Sequence, residues 1–121
     1  MDVITRKEIE DYILSLPNAK LGYPFGEDVA VYKVTVGDEQ KMFALMPEKR
    51  TPVALSLKCD PQLAVLLREK YESVMEGYHL NKKHWNTVLV TGQLDIDEIK
   101  GLIIHSYNLV IGNKDHIPSI Q

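Results

Sequence analysis

Val29-Ala30-Val31-Tyr32-Lys33-Val34-Thr35-Val36-Gly37-Asp38-Glu39-Gln40-Lys41-Met42-Phe43-Ala44-Leu45-Met46 decides the fold. Ala30, Tyr32, Val34 and Val36 alternate with Val31, Lys33 and Thr35, the period-two pattern of a strand. Gly37 to Gln40 supplies turn chemistry, and Lys41 to Met46 completes a β-hairpin. The expected register sets Val34 opposite Phe43 and Tyr32 opposite Leu45, both pairs on the core face. After Pro47 to Pro52, Val53 to Lys58 alternates again, with Val53, Leu55 and Leu57 against Ala54, Ser56 and Lys58. Antiparallel pairing of neighbours follows from such short connections.

Helices flank this β segment. Thr5 followed by Glu8 has capping-box spacing, and Ile9, Tyr12, Ile13 and Leu16 recur on one helical face until Pro17, predicting a helix over 5 to 16. Leu21 to Asp28, punctuated by Gly and Pro, reads as loop. Asp60 then Pro61 predicts an N-cap with Pro at the first helical position, and Leu63, Leu66, Leu67 and Tyr71 form the stripe of a second helix. Trp85 to Thr91 is rich in β-formers, so a further strand pair is expected around Lys82-Lys83. Asp95 with Glu98 caps a third helix with the stripe Ile96, Ile99, Ile103, Tyr107 and Val110, closed by Gly112. The order αβββαββα predicts an α+β fold of two layers: a mostly antiparallel five-stranded sheet with its helices on one face. The other face is expected to be wet and mildly basic, because Lys33, Ser56 and Lys58 share the polar phase.

At 121 residues the chain is expected to form a single domain over 1–121, and it contains no apolar run near the roughly 20 residues a membrane span needs. The N-terminal residues lack an apolar h-region, and the single Cys excludes an internal disulfide, so a cytoplasmic location and no membrane partner are expected. The net charge of −3 opposes wholesale nucleic-acid coating and restricts any such binding to a local patch.

That patch is Gly77 to Thr87, which holds the only Trp, two of the four His and a Lys pair, with no carboxylate. Lys82 and Lys83 suit phosphate, Asn86 suits a base edge or phosphate, and Trp85 suits stacking. The same residues also fit a solvated turn with Trp85 anchoring the sheet.

Other chemistry is thinly represented. Cys59 stands beside Lys58 just before a helix N-terminus, a setting that acidifies thiols, but Asp60 opposes this and the residue reads as a buried small hydrophobe. His79 and His84 lack the paired spacings of a metal site. Asp95, Asp97 and Glu98 read as helix N-terminal charges. Tyr23-Pro24-Phe25-Gly26 reads as a lid on the core, or else as a cleft lining with Tyr78 and Tyr107. The sequence has no Gly-rich phosphate loop, G-x-S-x-G or H-E-x-x-H, so no enzyme activity, metal or cofactor is expected.

Gly22 to Glu27, Ser56 to Pro61, Asn81 to Val88 and His105 to Val110 together resemble the MmcQ/YjbR family over nearly the whole chain. The resemblance implies a small α+β domain of frataxin-like or secretion-chaperone-like fold. It also implies DNA binding through β-hairpin wings, which would fall on Lys58, Lys82, Lys83, His84, Trp85 and Asn86. The expected function is a small binding protein that takes nucleic acid weakly and salt-sensitively through the Lys-Lys-His-Trp turn and polar sheet face. The contending expectation is a protein-interaction module, secretion-chaperone-like or homodimerising, on the same face.

Overall fold

Alternating strand residues and three capped helical stripes produce the expected α+β fold in a computed structural model, described here for residues 3–77 and 79–112. The helices are α1 (Arg6–Ser15), α2 (Pro61–Lys70) and α3 (Ile96–Ile111). The strands are β1 (Ala19–Gly22), β2 (Val29–Val36), β3 (Glu39–Pro47), β4 (Ala54–Lys58), β5 (Val74–Glu76) and β6 (Trp85–Leu89). They form one six-stranded sheet in the order β1-β2-β3-β4-β6-β5, with every neighbouring pair antiparallel.

The helix ends follow their caps. The Thr5 hydroxyl accepts from the Glu8 amide, and the Asp60 carboxylate accepts from the amides of Gln62 and Leu63. Asp95 and Glu98 form the full reciprocal box at α3, and Gly112, at φ 85°, ends that helix in a conformation that favours glycine. In α2 the buried residue is Ala64, while Leu66, expected in the stripe, is 62% exposed. The 10-residue helix turns the 63/64/67/71 side inward instead.

Two strand expectations change. β1 lies partly in the segment read as loop, pairing Lys20 with Lys33 and Leu21 with Tyr32, so the sheet has six strands rather than five. The hairpin register also differs: Val36 meets Glu39 across Gly37-Asp38, and a β-bulge after Tyr32 leaves Phe43 without a partner on β2. Tyr32 therefore faces Ala44 rather than Leu45, and Val34 faces Lys41 rather than Phe43. An extra residue reverses the phase of a strand. Phe43 and Ala44 both enter the main core, and Leu45 moves to the opposite face.

All three helices pack on one face, over Tyr32, Phe43, Met46, Leu55, Leu57 and Val88. The other face, expected to be wet, has a buried centre. Val31, Leu45 and Trp85 form a second apolar cluster there, with Val29, Met42 and Leu80 packed against it. Ser56 and Thr87, paired hydroxyl to hydroxyl at 2.8 Å, are buried beside it. Lys33, Ser56 and Lys58 do share this face, as the alternation requires.

β3 and β4 pair through only Ala44↔Leu57 and Leu45↔Ser56. Where they part, the fully buried Ser106 of α3 closes the gap: its hydroxyl donates to the Phe43 carbonyl at 2.6 Å and accepts from the Lys58 amide at 2.9 Å. The Phe43 ring meets Tyr107 edge-on at 5.4 Å, so the bulged residue is gripped twice by α3. Ser106→Ala leaves two buried backbone groups unpaired and is expected to cost roughly 1 to 3 kcal/mol in chemical denaturation. A loss within experimental error would show that the hydroxyl bridge contributes nothing.

Candidate nucleic-acid interface

The basic turn lies at residues 79–84, between β5 and β6. Asn81 organises it. The Asn81 side-chain oxygen accepts from the Lys83 amide at 2.9 Å, and its carbonyl accepts from the amides of His84 (3.2 Å) and Trp85 (2.9 Å). The turn is tied to both neighbouring strands: the Gly77 amide donates to the Trp85 carbonyl at 2.9 Å and the Cys59 amide to the His84 carbonyl at 2.7 Å. A Cβ at Gly77 would stand 2.7 Å from Trp85 Cβ, so glycine is what lets the Trp strand come this close.

The expected site residues separate into two groups. Lys82 and Lys83 are exposed at the tip, His84 is half-buried, and Lys58 sits opposite Trp85 across the β4–β6 pair. Trp85 itself is only 8% exposed within the second cluster, which removes its ring from stacking. Asn86 points to the other face and is 3% exposed. Its oxygen accepts from Arg68 at 2.8 Å and its nitrogen donates to the Ala64 carbonyl at 3.2 Å, so it holds α2 to β6. The base-reading and stacking roles thus have no accessible side chain, and what remains is a cationic edge.

Two lysines missed as site residues join that edge. Lys20 pairs with Lys33, Lys33 with Met42, and Lys58 with Trp85, so the register places Lys20, Lys33 and Lys58 on the helix-free face, the first two side by side and the third across the point where β3 and β4 part. Lys33 was legible from alternation as a basic residue of that face. Lys20 was not, because β1 runs into the Leu21 to Asp28 segment that reads as loop and no strand pattern marks it. No Asp or Glu occupies a position on this face of the six strands; Glu39 and Glu76 pair with Val36 and Asn86 on the helix side. Among the described residues the ion pairs gather instead at α1: Arg6 with Glu48 (2.9 Å) and Glu10 (3.5 Å), and Lys7 with Asp11 (2.7 Å).

The remaining candidates resolve plainly. Cys59 is buried, and burial, followed by the Asp60 carboxylate, pushes its thiol up to about 11, the opposite of an activated nucleophile. Tyr23 and Phe25 do not lid the core: the Tyr23 hydroxyl donates to Glu48 at 2.5 Å and Phe25 is 67% exposed. The Tyr107 hydroxyl donates to the Pro17 carbonyl at 2.6 Å, well committed to structure, and Tyr78 lies outside the described residues. Among the described residues no group of three or more His, Cys, Asp or Glu is arranged to hold a metal ion, and no helix is long and apolar enough to cross a membrane.

An antiparallel sheet with helices on one face and a lysine band on the other defines a small two-layer α+β protein. The family model described as YjbR matches residues 14–109, and the chain belongs to the YjbR family. The uncharacterized protein YbdF of Escherichia coli O157:H7 is 38% identical over 98 residues, covering 81% of this chain and 77% of that one. The uncharacterized protein YjbR of Escherichia coli strain K12 is 33% identical over 108 residues, covering 89% and 88%. A crystal structure of a Deinococcus radiodurans protein superposes with a TM-score of 0.83 at 36% identity, over 88% of this chain and 78% of that one. A Pseudomonas syringae protein does so with a TM-score of 0.71 at 30% identity, over 85% and 96%.

Trp85→Ala is expected to lower folding stability by about 3 to 5 kcal/mol, because the indole fills the second cluster; a melt close to wild type would mean that the ring is dispensable to the fold. A second outcome concerns acid. The Asp60 amide donates to His105 Nε2 at 3.1 Å, a bond that needs the neutral imidazole. Burial lowers the His105 pKa from its ordinary value of 6.5, and Asp60 opposes this only in part. The folded state thus binds that proton less readily than the unfolded chain. This stability contribution is complete above about pH 6.5 and is lost as pH falls toward the depressed folded pKa. Thermal melts between pH 7.5 and 5.5 should show a decline that is smaller in His105→Asn; equal declines would contradict the assignment.

Proposed function

We propose that this protein binds nucleic acid weakly and without base specificity, through phosphate contacts from Lys82 and Lys83 supported by Lys58 and His84. The observation that carries the reading is the pinned turn at 79–84: its two exposed lysines have no carboxylate in ion-pair range among the described residues. Because the backbone of the turn is already pinned, only side-chain freedom is lost when these lysines meet a phosphate, and each releases a counterion from the polymer. The net charge of −3 keeps the affinity low. Trp85 and Asn86 serve this site from beneath, by anchoring the strand that carries it. No catalytic step or cofactor is part of the proposal, and it is compatible with a cytoplasmic protein.

A protein-docking module on the same face has less support, because its apolar residues Val31, Leu45 and Trp85 are already buried and leave little area for a partner. Fluorescence-anisotropy titration with labelled oligonucleotides at about 50 mM salt tests the reading. Micromolar or weaker binding that falls steeply with salt is expected, and Lys82→Ala with Lys83→Ala should flatten the salt slope by about two units for every sequence. Absence of wild-type binding, or binding indifferent to salt, would overturn it.

A further inference from the structure

Taking the proposed nucleic-acid reading as its basis, we infer that the binding site extends beyond the turn. A phosphate track would run across the helix-free face from Lys82-Lys83 through Lys58 and Lys33 to Lys20 at the β1 edge, and it would take a single strand in preference to a duplex. The strand order puts these residues on β6's leading turn, β4, β2 and β1 in that sequence; the pair Lys20↔Lys33 sets two of them side by side, and Lys58, opposite Trp85, lies on the same face just past the point where β3 and β4 part. Four inter-strand steps separate β1 from β6, a span of roughly 19 Å at about 4.8 Å per step. With one phosphate per about 3.4 Å of axis on each strand, that span reaches several phosphates of one chain.

Charge complementarity favours this occupant over others. The strands contribute three lysines and no carboxylate to this face, although the whole chain carries 17 acidic against 14 basic residues. The excess acid therefore lies elsewhere: Glu8, Asp11, Asp97 and Glu98 on the helices, and Glu27 and Asp28 before β2. A polyanion meets attraction on one side of the molecule and repulsion on the other, so it is oriented before it makes contact. The preference for a single strand follows from shape. The band runs across the strands of an open six-stranded sheet, a broad surface rather than the single helix or two-stranded ribbon that a duplex groove admits. A flexible strand can instead follow a row of point charges. With Trp85 buried, stacking adds nothing and base identity should be irrelevant.

The test compares wild type, Lys20→Gln/Lys33→Gln and Lys82→Gln/Lys83→Gln in salt-dependent titrations with homopolymeric single-stranded and duplex DNA of equal length, each variant checked by thermal melt. Both double variants are expected to flatten the single-strand salt slope by about 1.4 units, without regard to base, and duplex should bind more weakly than single strand. If Lys33→Gln impairs folding, Lys20→Gln alone, at an exposed edge position, should flatten the slope by about 0.7 units. A slope changed by the Lys82/Lys83 pair but unmoved by Lys20 and Lys33 would overturn the track while leaving the turn site standing. Equal or tighter duplex binding would overturn the single-strand preference. No wild-type binding at all would remove both the track and the reading beneath it.

Discussion

The hydroxyl of Ser106 stands where the sheet would otherwise come apart. β3 and β4 share two residue pairs, and beyond these the bulge at Phe43 leaves a carbonyl and the Lys58 amide facing a gap. A buried backbone group without a partner is costly, so the bulge is tolerable only because α3 brings one side chain that donates to one strand and accepts from the other. Helix, bulge and strand divergence are therefore one arrangement. Its consequence is felt on the far face: the reversed phase of β3 sends Leu45 outward to meet Val31 and Trp85, and that cluster fixes the start of β6. The basic turn is held in place from there, through the amides of Gly77 and Cys59.

This chain of constraints also separates charge. The helices cover the face that buries Tyr32, Phe43 and Leu55, and they carry their acids outward; at their N-termini Asp95, Asp97 and Glu98 are favoured by the macrodipole. The sheet face without helices keeps lysines, whose long stems can lie on the apolar cluster while the ammonium groups remain in water. An acidic protein thereby presents a cationic band. Neither the total charge nor the composition reveals it.

What could be read from the residues alone was whatever depends on local chemistry. The caps at Thr5, Asp60 and Asp95 and the stripe of α3 fall where capping and the 3.6-residue period require, and the alternation of β2 and β4 fixed which residues share a face. What depends on distant partners was not legible. β1 has four residues, one of them Gly, and owes its strand conformation to pairing with β2. The bulge at Phe43 has no local marker, because it is stabilised from α3, more than 60 positions away. For Trp85 the sequence left two roles open, and burial decides for the anchor. The same gap hid Lys20 from the candidate site: a band across strands exists only once the register is known.

Amide chemical-shift mapping of the isotopically labelled protein during addition of a short single-stranded oligonucleotide at low salt tests the central claim most directly. Shifts confined to residues 81–84 and to Lys20, Lys33, Lys58 and their strand neighbours, collapsing as salt is raised, are the result this account predicts. Shifts concentrated on the exposed helix residues around Val65, Leu66 and Leu109, or no shifts at all, would contradict it.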